Sequence, residues 1–138
     1  MKYFTIEELT RTATGLKNVP NEKQEENLRA LVEKVLDRVR EKIKEPIIVT
    51  SGFRSVEVNK KVGGVRNSQH LLGCAADITL KDRNKNARLF QVIKDMCDNK
   101  EIVFDQLIWE RGNKKYPLWV HVSYVENGKN RKQVIFLR

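Results

Sequence analysis

The sequence predicts an α+β fold in which helices pack on a small, mainly antiparallel sheet, within one domain spanning residues 1–138. Three observations carry that prediction. A long stretch from Glu22 and another between Asp82 and Asn99 repeat apolar residues at intervals of three and four. Five short runs rich in β-branched or aromatic residues lie between turn-forming residues. No internal repeat, low-complexity tract or linker divides the chain, and 138 residues are enough to bury a core without disulfides or oligomerisation.

Thr5-Ile-Glu-Glu8 has the spacing of a capping box, so a short helix is expected to start there and to end near Thr14-Gly15. Leu16 to Asn21 reads as a loop. From Glu22 a long helix is marked by Leu28, Leu31, Val32, Val35, Leu36, Val39 and Ile43, with Glu25, Arg29, Lys34, Arg38 and Glu41 on its other face. Pro46 stops this helix by disfavouring the helical conformation at Glu45. Ile47 to Thr50 is the first expected strand, and Ser55 can cap a short helix through Lys61. Gly63-Gly64 opens a loop leading to Ser68 and His70, followed by a strand from Ala75 to Leu80. The second amphipathic helix turns Ala87, Leu89, Phe90, Val92, Ile93 and Met96 to one side. Three further strands are expected at Phe104 to Glu110, Trp119 to Val125 and Gln133 to Leu137, the last two joined by a turn at or just after Glu126-Asn-Gly128.

Composition narrows the function classes. Hydrophobic residues make up 40% and charged residues 33% of the chain, which is ordinary for a globular protein. A formal charge of +9 favours an anionic partner: nucleic acid, a membrane surface or an acidic cell-wall polymer. The basic residues are spread out, with mild clusters at Lys114-Lys115 and Lys129 to Lys132, and no aromatic platform is interleaved with them. No specific nucleic-acid partner is therefore expected. Cys74 and Cys97 form no Cys-x-x-Cys pair and read as buried reduced thiols. The first residues lack the apolar core of a signal peptide and no stretch approaches a membrane span, so no membrane insertion and a cytoplasmic site of synthesis are expected.

Ser68-Gln-His-Leu-Leu-Gly-Cys-Ala-Ala-Asp77 carries an imidazole and a carboxylate, and the chain's other histidine, His121, lies in the run Trp119 to Tyr124. His70, Asp77 and His121 meet the count for a hydrolytic zinc site, which needs three protein ligands and an open position. Strand alternation turns Val120 and Val122 to the core and Trp119, His121 and Ser123 to the opposite face. Hydrolysis further needs a carboxylate to take a proton from water and pass it to the leaving amine. Glu110, at the end of its strand, is the candidate base, and Asp105 is its rival. Alternation sets Phe104, Gln106, Ile108 and Glu110 on one face and Asp105, Leu107 and Trp109 on the other. Arg54, directly after a strand, suits bidentate capture of a carboxylate or polarisation of a carbonyl. Ser68, Gln106 and Trp119 are candidate substrate contacts beside these groups, together with Arg54.

Ser51-Gly-Phe-Arg-Ser55, Ser68-x-His70-x-x-Gly73-x-Ala75-x-Asp77 and Trp119-Val-His121-Val-Ser123 resemble the successive motifs of the M15 zinc peptidases. That family includes D-Ala-D-Ala carboxypeptidases, vancomycin-resistance-type dipeptidases and phage endolysins, and shares its fold with the metal-binding domain of hedgehog proteins. Phe4 to Leu9 and Asn18-Val-Pro20 also resemble the opening of its small phage-associated branch. The resemblance implies a hedgehog/D-Ala-D-Ala-peptidase-like fold and a single zinc ion on His70, Asp77 and His121. It makes Arg54 a substrate or oxyanion contact and Ser68 a support for the loop or the substrate. In the dipeptidase branch the catalytic Glu lies three residues before the last His, where this chain has Leu118. The stretch from Phe104 to Glu110 instead resembles the hedgehog arrangement, with a Glu on the preceding strand. The function implied is a monomeric zinc metallopeptidase that cleaves peptidoglycan stem peptides through zinc-bound water, as a D,D-carboxypeptidase or an endopeptidase. A phage lysin that leaves the cytoplasm through a separate holin pore fits the lack of a signal peptide. The alternative is a catalytically silent zinc module that binds a wall peptide or a protein.

Overall fold

In the computed structural model, which describes residues 1–138, Thr5 caps the first helix as its spacing predicts. Its side chain accepts from the Glu8 N–H while the Glu8 carboxylate accepts from the Thr5 N–H, and α1 runs Ile6–Thr10. The helix ends sooner than Thr14-Gly15 because its last carbonyls are taken by other parts of the chain. Leu9 O accepts from Phe53 N at 2.7 Å and Thr10 O from Asn18 Nδ2 at 2.8 Å.

The long helix begins after an Asn21–Gln24 capping box as α2 (Glu22–Leu31), widens through a π-helical turn at Val32–Leu36 and continues as α3 (Asp37–Ile43). All seven of its expected apolar positions are buried in the core. The turn also carries Asp37 inward, where its carboxylate accepts from the Lys2 and Tyr3 N–H groups and anchors the N-terminal residues. Lys44 closes the helix in a left-handed conformation (φ 60°), just before Glu45-Pro46.

Strands β1 (Ile47–Ser51), β2 (Ala75–Leu80), β3 (Gln106–Glu110), β4 (Trp119–Ser123) and β5 (Gln133–Leu137) form one sheet in the order β1-β2-β4-β3-β5. Between β1 and β2 lie α4 (Val56–Lys61) and a 3₁₀ turn at Gln69–Leu72; between β2 and β3 lie a 3₁₀ turn at Arg83–Lys85 and α5 (Asn86–Asp98). The fold is α+β, and every strand pair is antiparallel except β3 with β5. Ala76, Ile78, Leu80, Val120, Val122, Leu107 and Trp109 face the core shared with α2, α3 and α5. On the opposite face one register line crosses the sheet: Ser51 pairs with Asp77, Asp77 with His121, and His121 with Ile108. Cys74 and Cys97 are free and buried.

At the far end of the sheet the expected turn at Glu126 is present, and beyond it β5 crosses to the outer edge of β3 and runs parallel to it. Both edges of β4 are already filled, by β2 and β3, so the only hydrogen-bonding edge open on that side belongs to β3. The alternation expected of β3 fails before Gln106, because ladder pairing starts there: Phe104 is in the core with Leu107 and Trp109.

Asp105 secures this crossing. Its carboxylate accepts from Arg131 N (3.0 Å), Arg131 Nε (2.9 Å), Arg131 Nη2 (2.7 Å) and Gln69 Nε2 (2.8 Å), while its carbonyl accepts from Gln133 N. The Arg131 hydrogen bonds, against the opposing effect of burial, hold the Asp105 carboxyl down at about 2. A depressed folded-state value stabilises the fold above the ordinary carboxylate range and loses that contribution as pH falls toward 2. Asp105→Asn is therefore expected to cost about 1–2 kcal/mol at neutral pH, a figure that allows for solvent screening of the exposed Arg131. In urea unfolding the gap between variant and wild type should close as pH drops from about 4 toward 2; a constant gap would locate the effect elsewhere.

Candidate metal centre

Register brings two of the three expected donors together. Asp77 and His121 are direct cross-strand partners on β2 and β4, turned away from the core by the valines that flank His121. His70 arrives from the 3₁₀ turn. Ser68 Oγ accepts from the His70 N–H at 3.1 Å, and the Arg54 N–H donates to the His70 carbonyl at 3.0 Å. Gly73 ends that turn at φ 76°, where a Cβ would also collide with the Gln24 carbonyl, so glycine is required on both counts.

The ring orientations suit a cation. His70 Nδ1 lies 2.7 Å from the Gly52 carbonyl, which can only accept, so Nδ1 carries the proton and Nε2 keeps its lone pair. Nε2 lies 3.4 Å from Asp77 Oδ1, and His121 Nδ1 lies 3.0 Å from the same oxygen. The two rings meet edge to face with centroids 5.2 Å apart. One donor atom from each residue lies within 4.8 Å of the others, and the residues are 3%, 6% and 8% exposed for His70, Asp77 and His121. Burial opposes charge on Asp77, yet the adjacent His121 and His70 imidazoles outweigh it and hold the carboxyl far below its ordinary value. Two imidazoles and one ionised carboxylate, with the carboxylate anionic and one tautomer fixed, form a donor set that fits Zn²⁺.

Arg54 reaches the other oxygen of the same carboxylate. Its Nη2 is 3.4 Å from Asp77 Oδ2, its Nε donates to Ser51 Oγ at 3.0 Å and its Nη1 to Asn59 Oδ1 at 3.3 Å. The guanidinium thus orients Asp77 and keeps two of its five N–H donors for another group. Ser68 spends its hydroxyl on the cap before His70.

Glu110 pairs with Trp119 two register steps beyond the Ile108–His121 pair, which makes it a same-face diagonal neighbour of His121 at a typical Cα separation of about 7–8 Å. Burial first, and then the Asp77 charge, push the Glu110 carboxyl above its ordinary value, with His121 and Arg111 pulling the other way. A cation at the three donors acts in that second direction. Trp119, beside Glu110, buries an indole N–H that has no partner, and the Arg111 guanidinium lies 5.5 Å from the ring centroid. Gln106 is at the other end of β3 and donates to Gln133 Oε1 at 2.7 Å, so its side chain is directed along the sheet edge rather than to the donors. Asp105 is surrounded by the Arg131 and Gln69 donors and has no free oxygen to act as a base.

The model of the family described as Peptidase M15 matches residues 2–123. The chain belongs to the peptidase M15 family. Over 34 residues this M15 chain is 56% identical to the zinc D-Ala-D-Ala carboxypeptidase of Streptomyces albus G. That match takes in 25% of the chain and spans only 13% of the Streptomyces protein. Among solved structures, the L-Ala D-Glu endopeptidase ChiX of Serratia marcescens aligns over 83% of this chain and 96% of its own, with a TM-score of 0.49 and 18% identity.

Some contributors escaped the sequence. The Gly52 carbonyl orients His70, and Asn59 and Ser51 orient Arg54. The Ser51-Gly-Phe-Arg-Ser motif contained two of these, but its signal pointed to the arginine. Gly52 is there because a Cβ would strike the Leu9 carbonyl, a contact between residues far apart in the chain. Asn59 sits on α4 with nothing in its neighbours to mark it.

Proposed function

We propose that this M15 chain is a zinc metallopeptidase that hydrolyses amide bonds in peptidoglycan stem peptides, as a D,D-carboxypeptidase or an endopeptidase. The observation that carries the reading is the convergence of one donor atom each from His70, Asp77 and His121 within 4.8 Å, with Glu110 as the diagonal neighbour of His121. The name of the Streptomyces relative supports the substrate class.

Zinc on these three residues supplies a Lewis acid that lowers the pKa of a water toward about 7 and polarises a carbonyl. Glu110 takes the proton of the attacking water and delivers it to the leaving amine. Arg54 holds Asp77 and directs its remaining N–H donors at the oxygen that gains charge. The net charge of +9 draws the protein to an anionic wall. Among the biological settings, the motif resemblance to small phage-associated members supports an endolysin that meets the wall after release. No helix of the chain is long and apolar enough to cross a membrane.

Mass spectrometry of purified peptidoglycan incubated with zinc-loaded protein tests this directly. Free D-Ala identifies a carboxypeptidase, and new amino termini without D-Ala identify an endopeptidase. Zinc-loaded protein that releases nothing from several wall chemotypes overturns the reading in favour of a silent binding module.

A further inference from the structure

Two surface hollows of similar size lie on the protein, and they differ in what their charges already do. The one between α3 and α5, of about 600 Å³, is lined by Arg38, Glu41, Lys42, Met96, Lys100 and Glu101. There Lys42 pairs with the Glu101 carboxylate and Arg38 donates to the Glu101 carbonyl, so acidic and basic groups satisfy one another. The other, of about 610 Å³, is lined by Val56, Asn59, Lys60, Gly64, Arg66 and Leu71. Lys60 and Arg66 make no ion pair and no side-chain hydrogen bond anywhere in the chain, and Glu57, the acid on the same helix, does not line the hollow.

This second hollow adjoins the metal donors. Leu71 follows His70 directly. Asn59, 4% exposed, accepts from Arg54 Nη1, and Arg54 Nη2 reaches Asp77, so a single guanidinium bridges the hollow's wall and the ligand carboxylate. Asn59 is itself fixed by donating to the Val65 carbonyl at 2.9 Å. At Gly64 a Cβ would collide with Asn59 Oδ1 and crowd Arg54 Nη1, so the glycine keeps this wall open beside the arginine. Val56 and Leu71 supply apolar surface, while the two free cations supply uncompensated positive charge.

We infer that this hollow is a specificity subsite for an acidic residue of the substrate peptide close to the cleaved bond. The methylene segment of that residue lies on Val56 and Leu71, and its free carboxylate is held by Lys60 and Arg66. The inference rests on the peptidase reading for the identity of the peptide, while the subsite's charge preference is measurable without turnover.

The test uses calorimetry on zinc-loaded Glu110→Gln protein with synthetic stem pentapeptides whose acidic side groups are either free or amidated. The free-acid peptide is expected to bind about tenfold more tightly, as befits a partly exposed charge-assisted contact. The further pair of changes Lys60→Glu and Arg66→Glu should remove that preference while leaving zinc content unchanged. Equal affinity for the two peptides in the parent, or a preference that survives the charge reversal, overturns the subsite. Wild-type protein that cleaves the wall but shows the same KM for both peptides also overturns it, and leaves the peptidase reading standing. A tenfold preference in a protein that releases no product supports the subsite and overturns the peptidase reading alone.

Discussion

Asp77→Asn is expected to lower zinc affinity by more than about 100-fold, since even residues that only support a metal ligand are worth 10–100-fold. Hydrolysis of peptidoglycan should disappear with the metal. The physical reason is specific to this carboxylate. It is held ionised despite burial, one oxygen faces both imidazoles and the other faces Arg54, so it supplies the only negative charge among the three donors. An amide of the same shape keeps the β2–β4 pairing and leaves Arg54 bonded to Ser51 and Asn59. The fold should therefore survive, and metal analysis after dialysis separates loss of the ion from loss of structure. Wild-type zinc content in the variant, or a variant that unfolds in chelator while wild type does not, would remove Asp77 from the ligand set.

Glu110→Gln should do the reverse, keeping the ion and losing the reaction. General acid–base catalysis contributes about 10²–10⁴-fold, and a drop of that size in kcat with little change in KM is expected. Glutamine matches the size of the side chain beside Trp119 but can neither accept a proton from water nor return one to an amine. The raised position of the Glu110 carboxyl comes first from burial and then from Asp77. Glutamine preserves the side chain's volume, so the fold should be retained. Zinc content, thermal unfolding and single-turnover hydrolysis on one preparation decide the matter. Retained zinc with undiminished hydrolysis would return the search for the base to other groups, though Asp105 is an unsuitable substitute because Arg131 and Gln69 occupy its oxygens.

The sequence alone determined the parts of this protein that depend on short-range pattern. Helix α2 with α3 was legible because seven apolar residues recur at helical spacing, and β4 because two valines alternate with Trp119, His121 and Ser123. That same alternation turned His121 away from the core, and with only two histidines in the chain it singled out His70, Asp77 and His121 before any contact between them was known. Only the tertiary structure decided what those residues and their neighbours are bonded to. β5 joins β3 because β4 has no free edge, which no local pattern records. Asp105 alternates like a facing strand residue in the sequence and becomes an anchor because the crossing chain brings Arg131 to it. Arg54 stood out as a cation at a strand end, but its hold on Asp77 through a guanidinium braced by Ser51 and Asn59 exists only once β1, β2 and α4 are assembled. Periodicity is written in residues a few positions apart. Pairing partners, free edges and shared hydrogen bonds are set by which segments reach one another after the core has closed.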